Sequence, residues 1–342
     1  MILLRGKEGL FHTIGKDIQN VFQNLFKQRN KWRREVRKYV THYYAAEHPH
    51  ATNKEKTVIC MFDGRMKHGG LGDRLRGMIS VYAICKANGI PFKIYFNSPF
   101  KLETYLKPNM VDWTIAEEAL CYNSDDAFPV FCGTNGTHVE MPFQRRWLLK
   151  NFNKEVKQVH VYTNAFLEQG RNFKNLFDEL FCLSDDLSAV VDACMKEIGG
   201  PFISVSCRFQ QLLGDFKEDN CAVLPPDEQQ NLMERSVHEI EKIHDSLSGG
   251  VKHSILLASD STRFLDYASS KLDYVHRVPG KIAHMDFSSD ADYQVHLKTF
   301  ADLMMLSKAE KLYLLKSGAM YNSGFPRIAA RIGNKPFQLI RF

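Results

Sequence analysis

The sequence predicts an α/β protein: two successive halves, each a parallel sheet wound with helices, facing one another across a cleft. Three observations carry this. Short apolar runs alternate with helix-period stretches from residue 57 onward. The alternation is interrupted once, at Gly199-Gly200-Pro201, into two series of similar length. Finally, 342 residues exceed what one ordinary core organises, and two domains of roughly 100–200 residues each are expected.

A basic segment precedes both series. Residues 1–50 hold ten Lys/Arg and four Asp/Glu, a net +6 that equals the charge of the whole chain, so the body is neutral. Phe11, Ile14, Ile18, Val21, Phe22, Leu25 and Phe26 recur at helical spacing, and Lys27, Arg29, Lys31, Arg33, Arg34, Arg37 and Lys38 follow. Such a basic amphipathic helix either lies on an anionic membrane, at about 1 kcal/mol per basic residue near the lipid, or packs on the body with its charges in water. A body without a basic surplus argues against a nucleic-acid partner. His48-Pro49-His50 to Lys56 reads as a linker, which sets the first boundary at residues 1–55.

Thr57–Phe62 is unbrokenly apolar after its first residue, as a strand covered on both faces must be. A helix is expected from about Asp73 to Ala87, and a strand at Phe92–Phe96 after Gly89-Ile90-Pro91. Residues 100–155 show no clear period. Val159–Tyr162 reads as a strand, and Phe173–Phe181 and Ser184–Ile198 as helices. The first half is therefore 56–198 and the second 199–342. In the second, strands are expected at Phe202–Cys207, His253–Ala258, Tyr274–Val278, Lys311–Leu315 and Pro336–Ile340. Helices are expected at Pro226–Leu247, Arg263–Ser270, Tyr293–Leu306 and Pro326–Ile332. Both halves read as Rossmann-like, and ligands of such sheets bind at the carboxyl ends of the strands.

Between the first strand and its helix lies His68-Gly69-Gly70-Leu71-Gly72-Asp73-Arg74-Leu75-Arg76-Gly77. The glycines either serve the turn alone or let the backbone approach a ligand at the helix N-terminus. The dinucleotide fingerprint fails, because Leu75 stands where its third glycine belongs, and no Gly-Lys-Ser/Thr follows to make a P-loop. In the second half three strand ends carry polar groups: Arg208 and then Gly214-Asp215; Asp260 between Ser259 and Ser261; and Ser317-Gly318 followed by Asn322-Ser323-Gly324 before the helix with Arg327. Together these suit a nucleoside diphosphate, the arginine and the helix N-terminus taking phosphate and the carboxylate a base. Singly, Arg208 reads equally as a strand-end ion pair, and Asp260, Ser261 and Ser323 as helix caps.

Other chemistry is poorly represented. The eight cysteines are scattered without a Cys-x-x-Cys pair, and no histidine spacing suggests zinc. Asp290-Ala-Asp292 precedes a helix rather than following a strand, which favours capping over metal binding. No run reaches about 18 apolar residues. Met1–Leu4 is broken at once by Arg5, Lys7 and Glu8, so a cytoplasmic protein, peripheral on the inner face of the membrane, is expected. Asn135-Gly136-Thr137 is then a chance sequon.

Several segments carry a family resemblance. Ile203–Arg208 with Asp215 resembles, in degraded form, the His-x-Arg-Arg segment of the α-1,2-, α-1,6- and protein O-fucosyltransferases. Leu257–Ser261 resembles their second segment, a strand ending in aspartate. Ala301–Ala309 with Asn322–Ala330 resembles their third, and Gly70–Leu75 looks like their Gly-x-Gly-Asn/Asp-Arg-Leu element. The resemblance runs from about 57 to 340 in the right order. It departs at Ser206, where histidine is usual, at Phe209, where many members have a second arginine, and in a longer stretch between Ser307 and Ser323.

The resemblance implies the GT-B arrangement, a GDP-fucose donor in the second half, and inversion at the sugar carbon without cofactor or essential metal. It implies that Arg208 neutralises the leaving phosphate, Asp260 with Ser261 meets guanine or ribose, Ser323 and Gly324 bind phosphate, and Asp302 supports that loop. The glycine loop, with Gly70, Gly72, Asp73, Arg74 and His68, is then the opposite lip of the cleft. Asp73 and Asp215 are the candidate bases. The expected activity is fucosyl transfer to a glycan or lipid-linked glycan, in cell-surface polysaccharide or glycolipid synthesis. A transferase using another nucleotide sugar, or an inactive nucleotide- or glycan-binding protein, would share these features.

Overall fold

The computed structural model of the chain describes residues 34, 38–39, 41–66, 68–132, 141–167, 172–215, 222–247, 253–282 and 293–342. The apolar stripe Phe11–Phe26, the Asn135 sequon and Asp290-Ala-Asp292 lie outside these residues.

The first sheet is four-stranded and wholly parallel. β1 (Thr57–Phe62) lies between β2 (Phe92–Phe96) and β5 (Gln158–Thr163), and β4 (Ala127–Cys132) pairs on the far side of β5. β1 and β5 are central and nearly fully buried, which is why both read as apolar runs. β4 was hidden in the unpatterned region 100–155. It carries Pro129, which a strand tolerates at a sheet edge, where one side of its backbone needs no partner. A second unforeseen element is a short antiparallel pair, β3 (Leu106–Pro108) with β6 (Phe181–Leu183). The fully buried Trp113 sits beside it and donates its indole N–H to Leu180 O at 2.6 Å.

The second sheet, also parallel, has the order β11 (Phe337–Arg341), β10 (Leu312–Lys316), β7 (Phe202–Cys207), β8 (Ser254–Ser259), β9 (Val275–His276). β9 is shorter than the sequence suggests, because only two residues pair with β8. The helices are α1 (Leu71–Ala87), α2 (Met141–Phe152), α3 (Phe173–Leu180), α4 (Asp185–Ile198), α5 (Pro226–Leu247), α6 (Thr262–Lys271), α7 (Tyr293–Lys308) and α8 (Phe325–Gly333).

Helices of the second half close the gap between the sheets. α8 touches α1, α3 and α7, and α7 touches α4. One apolar cluster consequently contains Val58 and Phe62 of β1, Leu75 and Ile79 of α1, Phe300 and Leu303 of α7, and Ile328 and Ile332 of α8. Within each half a glycine allows close packing of its own elements. A Cβ at Gly77 would collide with Thr163 O at the end of β5, and one at Gly333 would collide with Ser307 O of α7. On the outer face of the first sheet, Tyr39 packs on Phe131 and Tyr162, and Tyr44 O–H lies 2.7 Å from His160 Nδ1. The end of the basic segment is therefore seated on the body.

Candidate active site

The carboxyl ends of β7 and β8 and the loop after β10 form one wall of a cleft, and the N-terminus of α1 forms the other. The cavity between them measures about 230 Å³.

Arg208 follows β7 directly, and its Nε lies 3.2 Å from Asp260 Oδ2, the carboxylate that follows β8. The same carboxylate accepts the Phe209 N–H through Oδ1 (2.8 Å) and the Gln210 N–H through Oδ2 (2.6 Å). Gln210 is bent into the left-handed region, φ 55°, so Asp260 clamps a sharp turn and aims the guanidinium at its head. Asp260 is buried, and desolvation pushes its pKa above the usual carboxylate range, with Arg208 and the two N–H groups drawing it back. Tyr321 N–H donates to Arg208 O at 2.9 Å, fastening the β10 loop to this turn.

That loop leads into α8. Ser323 Oγ accepts the Phe325 N–H at 3.2 Å, and Gly324 is an N-cap without a side-chain oxygen. Across the cleft, Gly70 is likewise an N-cap for α1 with no side-chain cap. Two glycine-capped helix N-termini thus face the same space; at α8 the Phe325 N–H is taken by Ser323 Oγ and Pro326 has none, so what that end offers an anion is chiefly the positive end of its dipole. Asp73 stands in the first turn of α1, 3.1 Å from Arg76 Nη2. On α7, Asp302 is paired with the buried Lys298 Nζ at 2.6 Å, and burial pushes its carboxyl up while Lys298 draws it down.

The cleft brings together Asp73, Gly70, Gly72, Arg208, Asp260, Asp302, Ser323 and Gly324. Four residues expected there are placed elsewhere. Asp215 Oδ2 accepts from Ser261 Oγ and from the Arg263 N–H, both at 2.9 Å, and so serves the start of α6. Ser261 is the buried N-cap of that helix and accepts the Phe264 N–H at 3.0 Å. Arg74 is turned inward, 3% exposed, and donates to Gly69 O and Ser98 O. His68 is buried with Nε2 3.6 Å from Asp63 Oδ1. Of the three side chains expected to face the acceptor from this lip, Asp73 alone lines the cleft. Asp260 reaches the wall, but both its oxygens are engaged by the 208–210 turn rather than turned toward a base.

Three further lining residues with hydroxyl groups were not among the expected site residues. Tyr321 exposes half its surface on the cleft wall, Thr299 lies one turn before Asp302, and the buried Ser206 Oγ has no hydrogen-bond partner among the described residues. Ser206 was the most accessible to sequence reasoning, since two residues before Arg208 on a strand is the same face. Phe209, in the place of a second arginine, is fully buried against Phe264 at 4.7 Å between ring centroids. Among the described residues no group of three His, Cys, Asp or Glu could hold a metal, and no helix is long and apolar enough to cross a membrane.

No family model matches the chain, and no curated protein matches it in sequence. Solved structures do match. A NodZ alpha-1,6-fucosyltransferase soaked with GDP-fucose superposes with a TM-score of 0.56 at 16% identity, over 84% of this chain and 95% of its own. An Arabidopsis thaliana FUT1 variant in complex with GDP gives 0.54 at 13% identity, over 90% and 74%. The Bradyrhizobium fucosyltransferase NodZ gives 0.53 at 15%, over 81% and 92%. The chain has the fucosyltransferase fold. In that GT-B arrangement, the Arg208 wall belongs to the second half and the Asp73 wall to the first.

Proposed function

We propose that the chain is an inverting glycosyltransferase that moves fucose from GDP-fucose to a hydroxyl of a glycan acceptor. One observation carries the reading: Arg208, held by Asp260, shares a wall with Ser323 and the glycine-capped N-terminus of α8, across from the carboxylate of Asp73. The fold neighbours studied with GDP-fucose and with GDP support the choice of donor.

In this reading Arg208, the Ser323 hydroxyl and the Gly324 main chain at the N-terminus of α8 bind the diphosphate. They gain strength as the bond from the fucose C1 to the phosphate oxygen breaks and negative charge collects on GDP. The acceptor oxygen forms the new bond to C1 from the opposite side, inverting it, and its proton passes to Asp73. Fixing both sugars in line across the cleft supplies much of the remaining rate. The exposed ring of Tyr321 offers a flat surface for the nucleobase. Activity in cell-surface polysaccharide or glycolipid synthesis, on the cytoplasmic side, follows if the basic N-terminal segment rests on anionic lipid. Removal of residues 1–33, which spares Tyr39 and Tyr44, then abolishes binding to anionic vesicles; binding that persists refutes the membrane contact.

Phe209 favours a second reading. With a core phenylalanine in place of a second arginine, one guanidinium faces the leaving group, as in a nucleotide-binding protein without turnover. Thermal shifts with GDP, UDP, CDP and ADP, followed by assays of GDP-fucose hydrolysis and transfer, separate the two. GDP stabilisation lost in Arg208→Ala, together with turnover, is expected. Stabilisation by UDP alone defeats the fucose reading, and GDP stabilisation without turnover leaves the binding protein.

A further inference from the structure

Beside the donor cleft lies a second cavity, of about 390 Å³, that shares Asp73 and Gly324 with it. Asp73 therefore stands on a wall common to both. The other charged walls are all cationic: Arg76 from α1, Arg327 and Arg331 from α8, and Lys335 just beyond its end. Arg327 and Arg331, four apart, share one face of α8, and Lys335 follows just beyond the left-handed Asn334 that ends the helix.

This gathering is held in place by packing. Arg327 Cζ sits 4.6 Å above the Phe337 ring, and Arg331 Cζ 4.6 Å above the Phe166 ring. Arg327 Nη2 donates to Asn322 Oδ1 at 2.8 Å, and Arg76 Nε donates to Asn164 O at 2.6 Å. The Arg327 and Arg331 guanidinium groups are thus seated over aromatic rings before any ligand arrives, which lowers the entropy lost on binding. Crowding like charges has a cost. Burial lowers the Arg327 pKa, and the nearby Arg341 lowers it further. An anion in the cavity relieves that repulsion, and rigid guanidinium groups are suited to the planar carboxylate or to phosphate.

We propose that this second cavity is the acceptor subsite, and that it takes a sugar bearing a carboxylate or phosphate group. The assignment to the acceptor rests on the fucosyl-transfer reading, because it is Asp73 that ties the cavity to the reacting hydroxyl. The anion lies against Arg327, Arg331 and Lys335 while a hydroxyl of the same saccharide reaches Asp73.

The test uses the full chain with GDP present and three probes: glucuronic acid, glucose 6-phosphate and glucose, followed by saturation-transfer NMR. The two charged sugars are expected to give signals that glucose does not, and the stronger of them identifies carboxylate or phosphate as the preferred group. In the double variant Arg327→Gln/Arg331→Gln, binding should weaken roughly tenfold or more, as loss of charge-assisted hydrogen bonds implies. Lys335→Gln, at an exposed position that the fold does not need, should weaken it about threefold, as one peripheral charge would. Equal signals from all three sugars, or charged-sugar binding unchanged in both variants, overturns the proposal. The GDP thermal shift is measured in parallel. If it is absent while charged-sugar binding depends on the arginines, the anion site stands and the fucosyl-transfer reading falls.

Discussion

Asp63 and Asp260 lie in different halves, each directly after a buried parallel strand, with side chains 3% and 2% exposed. Burial pushes both carboxyls up, yet the outcomes are opposite. Around Asp63 the balance is reversed by His68, the Arg65 N–H and guanidinium, and the Tyr162 hydroxyl at 2.9 Å, so its pKa falls below the usual range. Arg65 is itself stacked between Tyr43 and Tyr122. Around Asp260 the partners are two main-chain N–H groups and Arg208, and burial prevails. The first carboxylate is enclosed by side chains that satisfy it within the fold. The second shares its arginine with an open cleft, where an anion can compete for the same guanidinium. A strand-end carboxylate therefore becomes part of a site when its partner faces outward, and its own position does not decide the matter.

The largest expected effect would break the comparison from the opposite wall. Asp73→Asn should lower transfer by about 10²–10⁴-fold, the usual range for a lost general base, while leaving the GDP thermal shift intact. A parallel loss of GDP binding would place Asp73 with the donor instead. Next come the two aspartates themselves. Asp63→Asn should cost about 1–3 kcal/mol in urea unfolding by leaving buried donors without their charged acceptor, with little effect on GDP affinity. Asp260→Asn should weaken GDP binding more than it weakens the fold.

Their pH dependences should differ in sign. The depressed pKa of Asp63 gives stability that is full above its unfolded value of about 4 and is lost as pH falls through the folded value. Asp63→Asn should therefore flatten the acid limb of the stability curve. The raised pKa of Asp260 makes its ionisation in the fold unfavourable, a cost relieved as pH falls through the folded value toward about 4. Asp260→Asn removes that relief and should steepen the limb. Parallel curves for the two variants would show that the environments do not differ as described. The smallest effect is expected at Tyr321, where alanine should weaken GDP by about 0.5–1.5 kcal/mol, the worth of one aromatic stack, as read by calorimetric titration.

The central strands were legible because a parallel strand covered on both faces leaves an unbroken apolar run, as in Thr57–Phe62 and Phe202–Cys207. β4 was not, because an edge position relaxes that demand and admits Pro129. β3 and β6, three residues each, are too short for a period to show. Arg208, Asp260 and Ser323, which line the cleft, were singled out in the sequence by one topological rule, that ligands meet the carboxyl ends of strands. The same rule placed Asp215 and Ser261 near the cleft, and the resemblance of the glycine loop placed Arg74 there, but neither fixes where a side chain turns. Helix capping took the first two, and two main-chain carbonyls took the third. Tyr321 and the second cavity depend on contacts between distant segments, which leave no local pattern.

The core that passes from β1 through α1 to α7 and α8 bears on how the molecule comes apart. Neither half can be lifted off the other without wetting Phe62, Leu75, Phe300 and Ile328 together. The two halves should accordingly melt as one cooperative unit, with a single calorimetric endotherm. A nucleotide must then enter and leave by local rearrangement of the loops that rim the cleft, because a wholesale parting of the halves would approach the free energy of unfolding itself.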